Sequence, residues 1–261
     1  MLVRELMDSN YPSIFVEEHA TKARAILRES RLRMLPVVDE HKRLLGIVSR
    51  NDILTISSSV SPLRVRGIMS EIRFAAPTDM DAIEATKQMM RLDEWYVPVI
   101  KTEQNNEYTG IFALEHIIKK LYEKGSAGLT RPLSDVVTTK NLLSCSPNDE
   151  TDNVWQKMKE RRLAACPVTS KGKPVGMISE QDLLESGANF PRFESAKPKL
   201  KSAPIFTLMT TPVISLQSKE KVGKAVQLML EKNVGRVAIT DDKGTMIGMI
   251  DREDVLKALI M

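Results

Sequence analysis

The sequence is poor in the residues that usually carry catalysis, metal binding or disulfide chemistry. Its 261 residues include 2 cysteines and 3 histidines, and aromatic residues make up 5%. Cys145 and Cys166 have no neighbouring Cys or His cluster, so we interpret them as small buried apolar residues. His19, His41 and His116 fall in three different settings, and no G-x-x-x-x-G-K-[ST] phosphate loop occurs. We therefore expect a protein that is not an enzyme.

Long apolar runs are missing as well. No stretch approaches the roughly 20 apolar residues that cross a bilayer. Residues 1–8 contain acids where a signal peptide would have its apolar run. We therefore expect a cytoplasmic protein without a membrane partner. The net charge of +4 is mild, and most basic residues alternate with acids, so composition does not indicate a large nucleic-acid surface.

What the sequence does contain is one unit of roughly 60 to 70 residues repeated four times. A proline closes a helix-to-strand corner in three copies, at Pro36, Pro98 and Pro167, and Ala238 takes its place in the fourth. A glycine follows nine to twelve residues later, before a strand and a helix start. Such internal repeats decide the fold. The four glycines are Gly46, Gly110, Gly176 and Gly248.

Repeat four shows the order of elements most clearly. A β-branched run at 213–216 predicts a strand, and residues 222–229 place apolar side chains at i, i+3, i+4 and i+7, as in a helix. Residues 236–250 read as a hairpin with turn residues at its centre, and Asp251 opens a second helix. The predicted order is strand, helix, strand, strand, helix.

The repeats set the expected domain boundaries. They predict domains at 1–58, 62–124, 130–187 and 205–261, with a linker at 188–204. One such unit cannot cover the apolar face of its own small sheet, so we expect the domains to pack in pairs. Residues 57–62 read as a short hinge, and the Gly/Ser-rich residues 123–128 read as a flexible break.

The first strand of each repeat can be aligned by counting back from the corner. This alignment places Ser13, Ala75, Ser144 and Ser215 at one position. In repeat one the register is the least defined, and Phe15 is an alternative occupant of that position.

These motifs resemble the CBS domain, named for cystathionine beta-synthase. The corner Leu35-Pro36-Val37-Val38-Asp39 and the two complete Gly-x-x-Ser-x-x-Asp ends, at 46–52 and 176–182, carry the resemblance, which covers essentially the whole chain. It implies an α/β (α+β) fold of four β-α-β-β-α repeats, packed pairwise into two modules. Four copies without an attached enzyme are similar to the gamma subunits of AMP-activated protein kinase and to stand-alone archaeal four-repeat proteins.

The resemblance also implies a ligand. Clefts between paired CBS domains often hold AMP, ADP, ATP or, alternatively, S-adenosylmethionine, and binding regulates a partner protein. We therefore expect a ligand sensor whose modules rearrange, with an adenosyl small molecule and an unidentified regulated protein as partners. The two modules either close into one disc within the chain or associate as a homodimer.

The resemblance assigns roles residue by residue. It implies that Asp52, Asp182 and Asp254 bind ribose, that Ser49 and Ser179 lie near phosphate, and that Arg33, Arg50 and Arg236 are candidate cations for phosphate. The remaining nucleotide-binding candidates are corner and first-strand residues: Ser13, Met34, Leu35, Pro36, Ser144, Ala165, Cys166, Pro167 and Ser215. Repeat one thus carries the fullest phosphate set.

Each assignment has a structural alternative. Ser-x-x-Asp before an apolar run is also a capping box, and both interpretations can hold together. Repeat two lacks the pair, with Ala113 and His116 instead, and we expect His116 on a helix surface. Trp95 and Tyr96 are interpreted as core residues rather than as an adenine stack.

The linker offers a different function. Aromatic and basic residues interleave over 190–201, a pattern that stacks on bases and contacts phosphates in single-stranded nucleic acid. We favour a solvated linker and expect no nucleic acid partner.

Overall fold

The computed structural model describes residues 1–54, 62–139, 142–187 and 202–260. The chain divides into two compact units, one of residues 1–117 with 184–196 and the other of residues 118–183 with 197–261. Most of the predicted hinge at 57–62 and of the linker at 188–204, including the basic segment 190–201, lies outside the described residues.

The first unit contains repeats one and two, and both have the predicted element order. Repeat one comprises β1 (Ile14–Phe15), α1 (Ala20–Glu29), β2 (Met34–Val38), β3 (Leu44–Ser49) and α2 (Arg50–Leu54). Repeat two comprises β4 (Ala76–Pro77), α3 (Ala82–Leu92), β5 (Tyr96–Thr102), β6 (Asn105–Ala113) and α4 (Leu114–Glu123), which ends in the second unit.

The second unit repeats the plan, with one reduced element. The first strand of repeat three is a single bridge between Cys145 and Val168, followed by α5 (Thr151–Glu160), β7 (Ala165–Ser170), β8 (Lys173–Ser179) and α6 (Glu180–Glu185). Repeat four comprises β9 (Ser215–Gln217), α7 (Val222–Glu231), β10 (Arg236–Thr240), β11 (Met246–Asp251) and α8 (Arg252–Ile260).

Strand pairing settles the register of the first strands. In repeat four, Ser215 pairs with Ala238 in a parallel ladder. In repeat one, Ile14 pairs with Val37, so Ser13 lies opposite Pro36. The alignment through Ser13 is therefore confirmed, and Phe15 lies two residues beyond it.

The helices bury the faces that the sequence pattern predicts. On α7, Val222, Ala225 and Val226 have no exposed surface, and Met229 is 3% exposed. Burying each large apolar side chain fully contributes about 1.5–3 kcal/mol.

A segment ahead of each repeat docks on the other repeat of its pair, and we call it the leading segment. Residues 1–8 precede repeat one but bind repeat two, where the Val3 N–H donates to Met80 O (2.9 Å) and Asp8 bridges Ile111. Residues 63–70 precede repeat two but bind repeat one, where Ser70 bridges Ile47. The two repeats are therefore tied together reciprocally.

The second unit shows the same exchange. Thr138, ahead of repeat three, bridges Met249 of repeat four, and Thr210, ahead of repeat four, bridges Met177 of repeat three. Each leading segment begins with a short 3-10 helix that buries one apolar residue. These residues are Val3, Val65, Leu133 and Ile205, all without exposed surface.

The exchange explains the recurring glycine. A Cβ on Gly110 would lie 2.4 Å from Asp8 O, and one on Gly248 would lie 2.7 Å from Thr138 O. At Gly46 the corresponding distance to Ser70 O is 2.9 Å. Real Cβ atoms do not approach this closely, so the glycine is needed where the leading segment crosses the second hairpin strand.

One connector differs from its prediction. The residues 123–128 were expected to form a flexible break, but Ser126 Oγ donates to Leu259 O (2.9 Å) and Gly128 is buried. A Cβ at Gly128 would lie 1.9 Å from Ala258 O. The glycine is there because the chain packs tightly against α8, so the prediction of flexibility was wrong.

Candidate functional site

Asp52 lies where β3 turns into α2. Its Oδ2 accepts hydrogen bonds from the Ser49 N–H (2.8 Å) and Ser49 Oγ (2.7 Å), which is a capping arrangement. Its Oδ1 accepts a longer bond from Ser70 Oγ (3.4 Å), in the leading segment of repeat two. The carboxylate is therefore bound by both repeats of the pair.

Asp182 has the same surroundings in repeat three. Its Oδ2 accepts from the Ser179 N–H (2.7 Å) and Ser179 Oγ (2.5 Å), and its Oδ1 accepts from Thr210 Oγ1 (2.8 Å). An ionised carboxylate has about four acceptor positions, so these three bonds leave room for one more donor. The capping role and a ligand role are compatible.

Asp254 makes the same kind of hydrogen bonds as Asp52 and Asp182, but a second carboxylate lies next to it. Its Oδ1 accepts from Thr138 Oγ1 (3.0 Å), and its Oδ2 accepts from the Asp251 N–H (3.0 Å). Burial and the neighbouring Asp251 carboxylate raise the pKa of Asp254 to about 6. The negative charge of two carboxylates at this corner disfavours the binding of a phosphate, even though the cationic Arg236 lies across the ladder from Asp251.

Repeat two lacks the carboxylate. The Ala113 N–H donates to His116 Nδ1 (3.3 Å), so the imidazole occupies the capping position that aspartate has elsewhere. His116 is partly buried and its ring lies 6.1 Å from that of Phe112. It is therefore a helix cap rather than the surface residue that the sequence suggested. Asp8 occupies the leading-segment position of Ser70, Thr138 and Thr210.

Arg33 lies against the aromatic pair of repeat two. Its guanidinium carbon is 4.9 Å from the centroid of the Trp95 ring and 5.8 Å from that of Tyr96. Tyr96 Oη donates to Glu115 Oε2 (2.8 Å), and Trp95 is only 9% exposed. The rings thus hold a cation at the corner of repeat one, as cation–π contacts do.

Arg50 has a different role from the phosphate contact that the sequence suggested. Its side chain is buried, and Nε donates to Leu32 O (2.7 Å) while Nη2 donates to Arg31 O (2.5 Å). The guanidinium satisfies carbonyls after the end of α1, so we leave it out of the phosphate set. Arg236 pairs with Asp251 as Met34 pairs with Ser49, so it corresponds to Met34 and not to Arg33.

The other candidates line the same corners. Ser13 is partly exposed, whereas Ser144 and Ser215 are exposed at the first-strand position. Ala165 lies across the ladder from Ser179. The remaining corner residues are buried: Met34, Leu35, Pro36, Cys166 and Pro167.

The two cysteines are close neighbours in repeat three. The Cys166 thiol donates to Leu143 O (3.5 Å), the Cys145 thiol donates to Pro167 O (3.8 Å), and both cysteines are buried. The Cys145 bridge to Val168 places Cys166 two residues out of register, which by strand geometry separates the Cα atoms by about 8 Å. Disulfides need Cα atoms closer than about 7 Å, so this geometry favours the interpretation as buried apolar residues.

Comparison with known proteins identifies the repeated unit. The model of the CBS domain matches residues 3–59, 65–123, 133–189 and 205–261. The chain belongs to the CBS domain family.

Similar proteins occur in archaea. Protein MJ1225 of Methanocaldococcus jannaschii is 22% identical over 258 residues, which cover 90% of each chain. Its crystal structure, described as that of a candidate archaeal homologue of g-AMPK, matches with a TM-score of 0.84 at 18% identity and covers 98% of this chain and 99% of that one.

Two further matches span nearly all of the chain. A 33.4 kDa protein in the ribosomal RNA operon of Thermofilum pendens is 24% identical over 285 residues, covering 99% of this chain and 92% of the relative. A conserved protein from Pyrococcus horikoshii has a TM-score of 0.66 at 20% identity, with 99% and 100% of the two chains covered. These structural matches establish the fold of tandem CBS repeats.

Sequence reasoning missed the hydroxyls that bind the CBS carboxylates. Ser70, Thr138 and Thr210 belong to leading segments, and each follows an apolar residue, in Met-Ser, Val-Thr and Met-Thr pairs. These pairs recur five or six residues before the aligned first-strand position and could have been found as a further repeat signature. Among the described residues, no group of three or more His, Cys, Asp or Glu side chains is arranged to hold a metal, and no helix could span a membrane.

Proposed function

We propose that this CBS protein is a non-catalytic, cytoplasmic regulatory protein that binds AMP, ADP or ATP at Asp52 and Asp182. The observation that carries the proposal is that each carboxylate is bound by a hydroxyl from the partner repeat, Ser70 or Thr210. A ribose that donates its hydroxyls to such a carboxylate would contact both repeats of the pair at once.

Contact with both repeats links binding to regulation. A ligand shifts a conformational equilibrium only by its difference in affinity for the two states. Because leading segment and carboxylate belong to different repeats, an adenosine ligand would bind best in one relative orientation of the two repeats. A regulated protein, as yet unidentified, would recognise that orientation.

Charge separates the proposed sites by ligand class. Repeat one has Arg33 next to its corner, which favours a ligand with more phosphate. Repeat three has Ala164 and Ala165 at the same place. Repeat four, with Asp251 beside Asp254, favours an adenosyl ligand that is uncharged or cationic at this end, such as S-adenosylmethionine.

Calorimetric titration with AMP, ADP, ATP and S-adenosylmethionine tests the proposal. We expect saturable binding of at least one ligand, weakened at least tenfold by Asp52→Ala or Asp182→Ala. Asp81→Ala is the matched control, because Asp81 caps α3 through the Ile83 and Glu84 N–H groups but lies outside the motif. Absence of binding by all four ligands would refute the adenosyl function.

A further inference from the structure

Tyr11 occupies the repeat-two corner that corresponds to the proposed ligand sites. It comes three residues after Asp8, and Asp8 bridges Ile111 as Thr138 bridges Met249 in repeat four. The Tyr11 side chain packs against a buried cluster of Met34, Ile111 and Ala113, together with Ile47 and Tyr96.

Ala113 marks this place as the ligand corner of repeat two. It lies across the ladder from Tyr96, as Ser49 lies across from Met34 and Ser179 from Ala165. The ring of Tyr11 therefore lies where a ligand of repeat two would meet the end of its hairpin.

Hydrogen bonds hold both the hydroxyl of the Tyr11 ring and the backbone of this residue. Tyr11 Oη donates to Met34 O (2.8 Å), and Tyr108 Oη donates to Tyr11 O (3.0 Å). Burial raises the pKa of Tyr11, so its hydroxyl remains a donor at neutral pH. The bond to Met34 O and the packing against Ala113 together hold the ring between the corners of repeats one and two.

We propose that the Tyr11 ring is a built-in occupant of the repeat-two cleft and excludes any planar ligand ring from it. The corresponding residues three places after Ser70 and Thr210 are Arg73 and Val213, which are not aromatic. The first unit therefore has one adenosine site, at Asp52, because its own chain fills the other.

Restoring the motif with and without the ring tests the proposal. Native mass spectrometry counts AMP bound to the wild type, to Ala113→Ser/His116→Asp, and to the same pair combined with Tyr11→Ala. We expect one additional AMP per chain in the triple variant alone. An additional AMP in the double variant, or none in a folded triple variant of a chain whose wild type binds AMP, would overturn the proposal.

Two matched variants guard against effects on folding. In the restored background, Tyr11→Phe keeps the ring and should gain no AMP, although it loses the bond to Met34 O. Tyr11→Leu keeps much of the apolar packing but removes the planar ring, and should gain AMP. A Leu variant that folds without gaining AMP counts against the proposal as well.

A probe that contains no adenosine separates this proposal from the proposed function. p-Cresol, which reproduces the tyrosine side chain, should raise the Tm of Tyr11→Ala in a saturable way. It should not raise that of the wild type or of Tyr122→Ala, which removes a ring from α4. If the wild type binds no AMP, the adenosyl function fails, and the response to p-cresol alone decides whether the ring fills a cleft. No response of Tyr11→Ala would then refute it.

Discussion

Thr210 Oγ1 donates a 2.8 Å hydrogen bond to Asp182 Oδ1, although the two residues belong to different repeats. Thr138 and Asp254 make the same contact at 3.0 Å, and Ser70 and Asp52 at 3.4 Å. The motif carboxylate therefore caps a helix and also connects two domains through a hydrogen bond. We call this hydrogen bond between repeats the joint. This relationship connects a ligand at the carboxylate with the geometry of the domain pair.

Removing the hydroxyl of Thr210 tests that joint. We expect Thr210→Val to weaken adenosyl ligand binding at repeat three several-fold, because the hydroxyl that positions the Asp182 carboxylate is lost. Thr210→Ser should restore affinity. Thr207→Val is the control, since its hydroxyl bonds Pro204 O within the same segment. Calorimetry measures all three, and equal losses in the two Val variants would refute a role for the joint.

The close approach at Gly248 gives a prediction about stability. A Cβ there would lie 2.4 Å from Val137 Cγ2 and 2.7 Å from Thr138 O. We expect Gly248→Ala to lower the free energy of unfolding by about 1–3 kcal/mol, as overpacking does. Gly67→Ala meets nothing within 4 Å and should change it little. Denaturant titration measures both, and equal stability of the two variants would contradict the packing argument.

Local sequence patterns predicted the helices and strands, but not the docking of each leading segment on the other repeat of its pair. The apolar spacing on α7 and the corner prolines depend on residues close in sequence, so they predicted helices, strands and registers. The pairing of Asp8 with Ile111 joins residues about a hundred positions apart, and no local pattern encodes it. The recurring glycines were visible, but their reason, the crossing of a leading segment, required the tertiary structure.

Arg50 and Arg33 show why charge alone misassigns a site. Both are arginines near one corner, and the sequence makes them equal candidates for phosphate. Arg50 donates to the backbone carbonyls of Arg31 and Leu32. Arg33 instead lies over Trp95, which keeps it at the corner. The hydrogen bonds of Arg50 and the aromatic contact of Arg33 distinguish them, and both depend on the tertiary structure.

Arg33 provides a prediction about phosphate. We expect Arg33→Gln to weaken ATP binding at repeat one more than adenosine binding, because the guanidinium interacts with phosphate charge. Trp95→Leu should have a smaller effect in the same direction by loosening Arg33. The control is Arg66→Gln, an exposed arginine that pairs with Glu17. Titrations with ATP and adenosine give the comparison. Equal losses for the two ligands would refute the assignment.

Asp254 provides a prediction about pH. Its pKa of about 6 lies above the ordinary value of 3.8, so the folded protein binds its proton more tightly than the unfolded chain does. The contribution of this group to stability is full below about pH 4 and is lost as pH rises through about 6. Asp254→Asn should remove that part of the pH dependence.

Denaturant titrations of the wild type and Asp254→Asn between pH 4 and 7 measure this difference. Asp241→Asn is the control, since Asp241 accepts only local turn bonds from Lys243 and Thr245 among those described. A difference between wild type and Asp254→Asn that does not change with pH would show that Asp254 titrates alike in the folded and unfolded states.

Hydrogen–deuterium exchange with and without a bound adenosyl ligand tests most directly whether one ligand engages two repeats. We expect AMP to slow exchange at Ser179–Asp182 of repeat three and also at residues 207–210 of the leading segment, with Asp182→Ala abolishing both effects. Slower exchange in only one of the two segments, or in neither while AMP binds at repeat three, would contradict the joint between repeats.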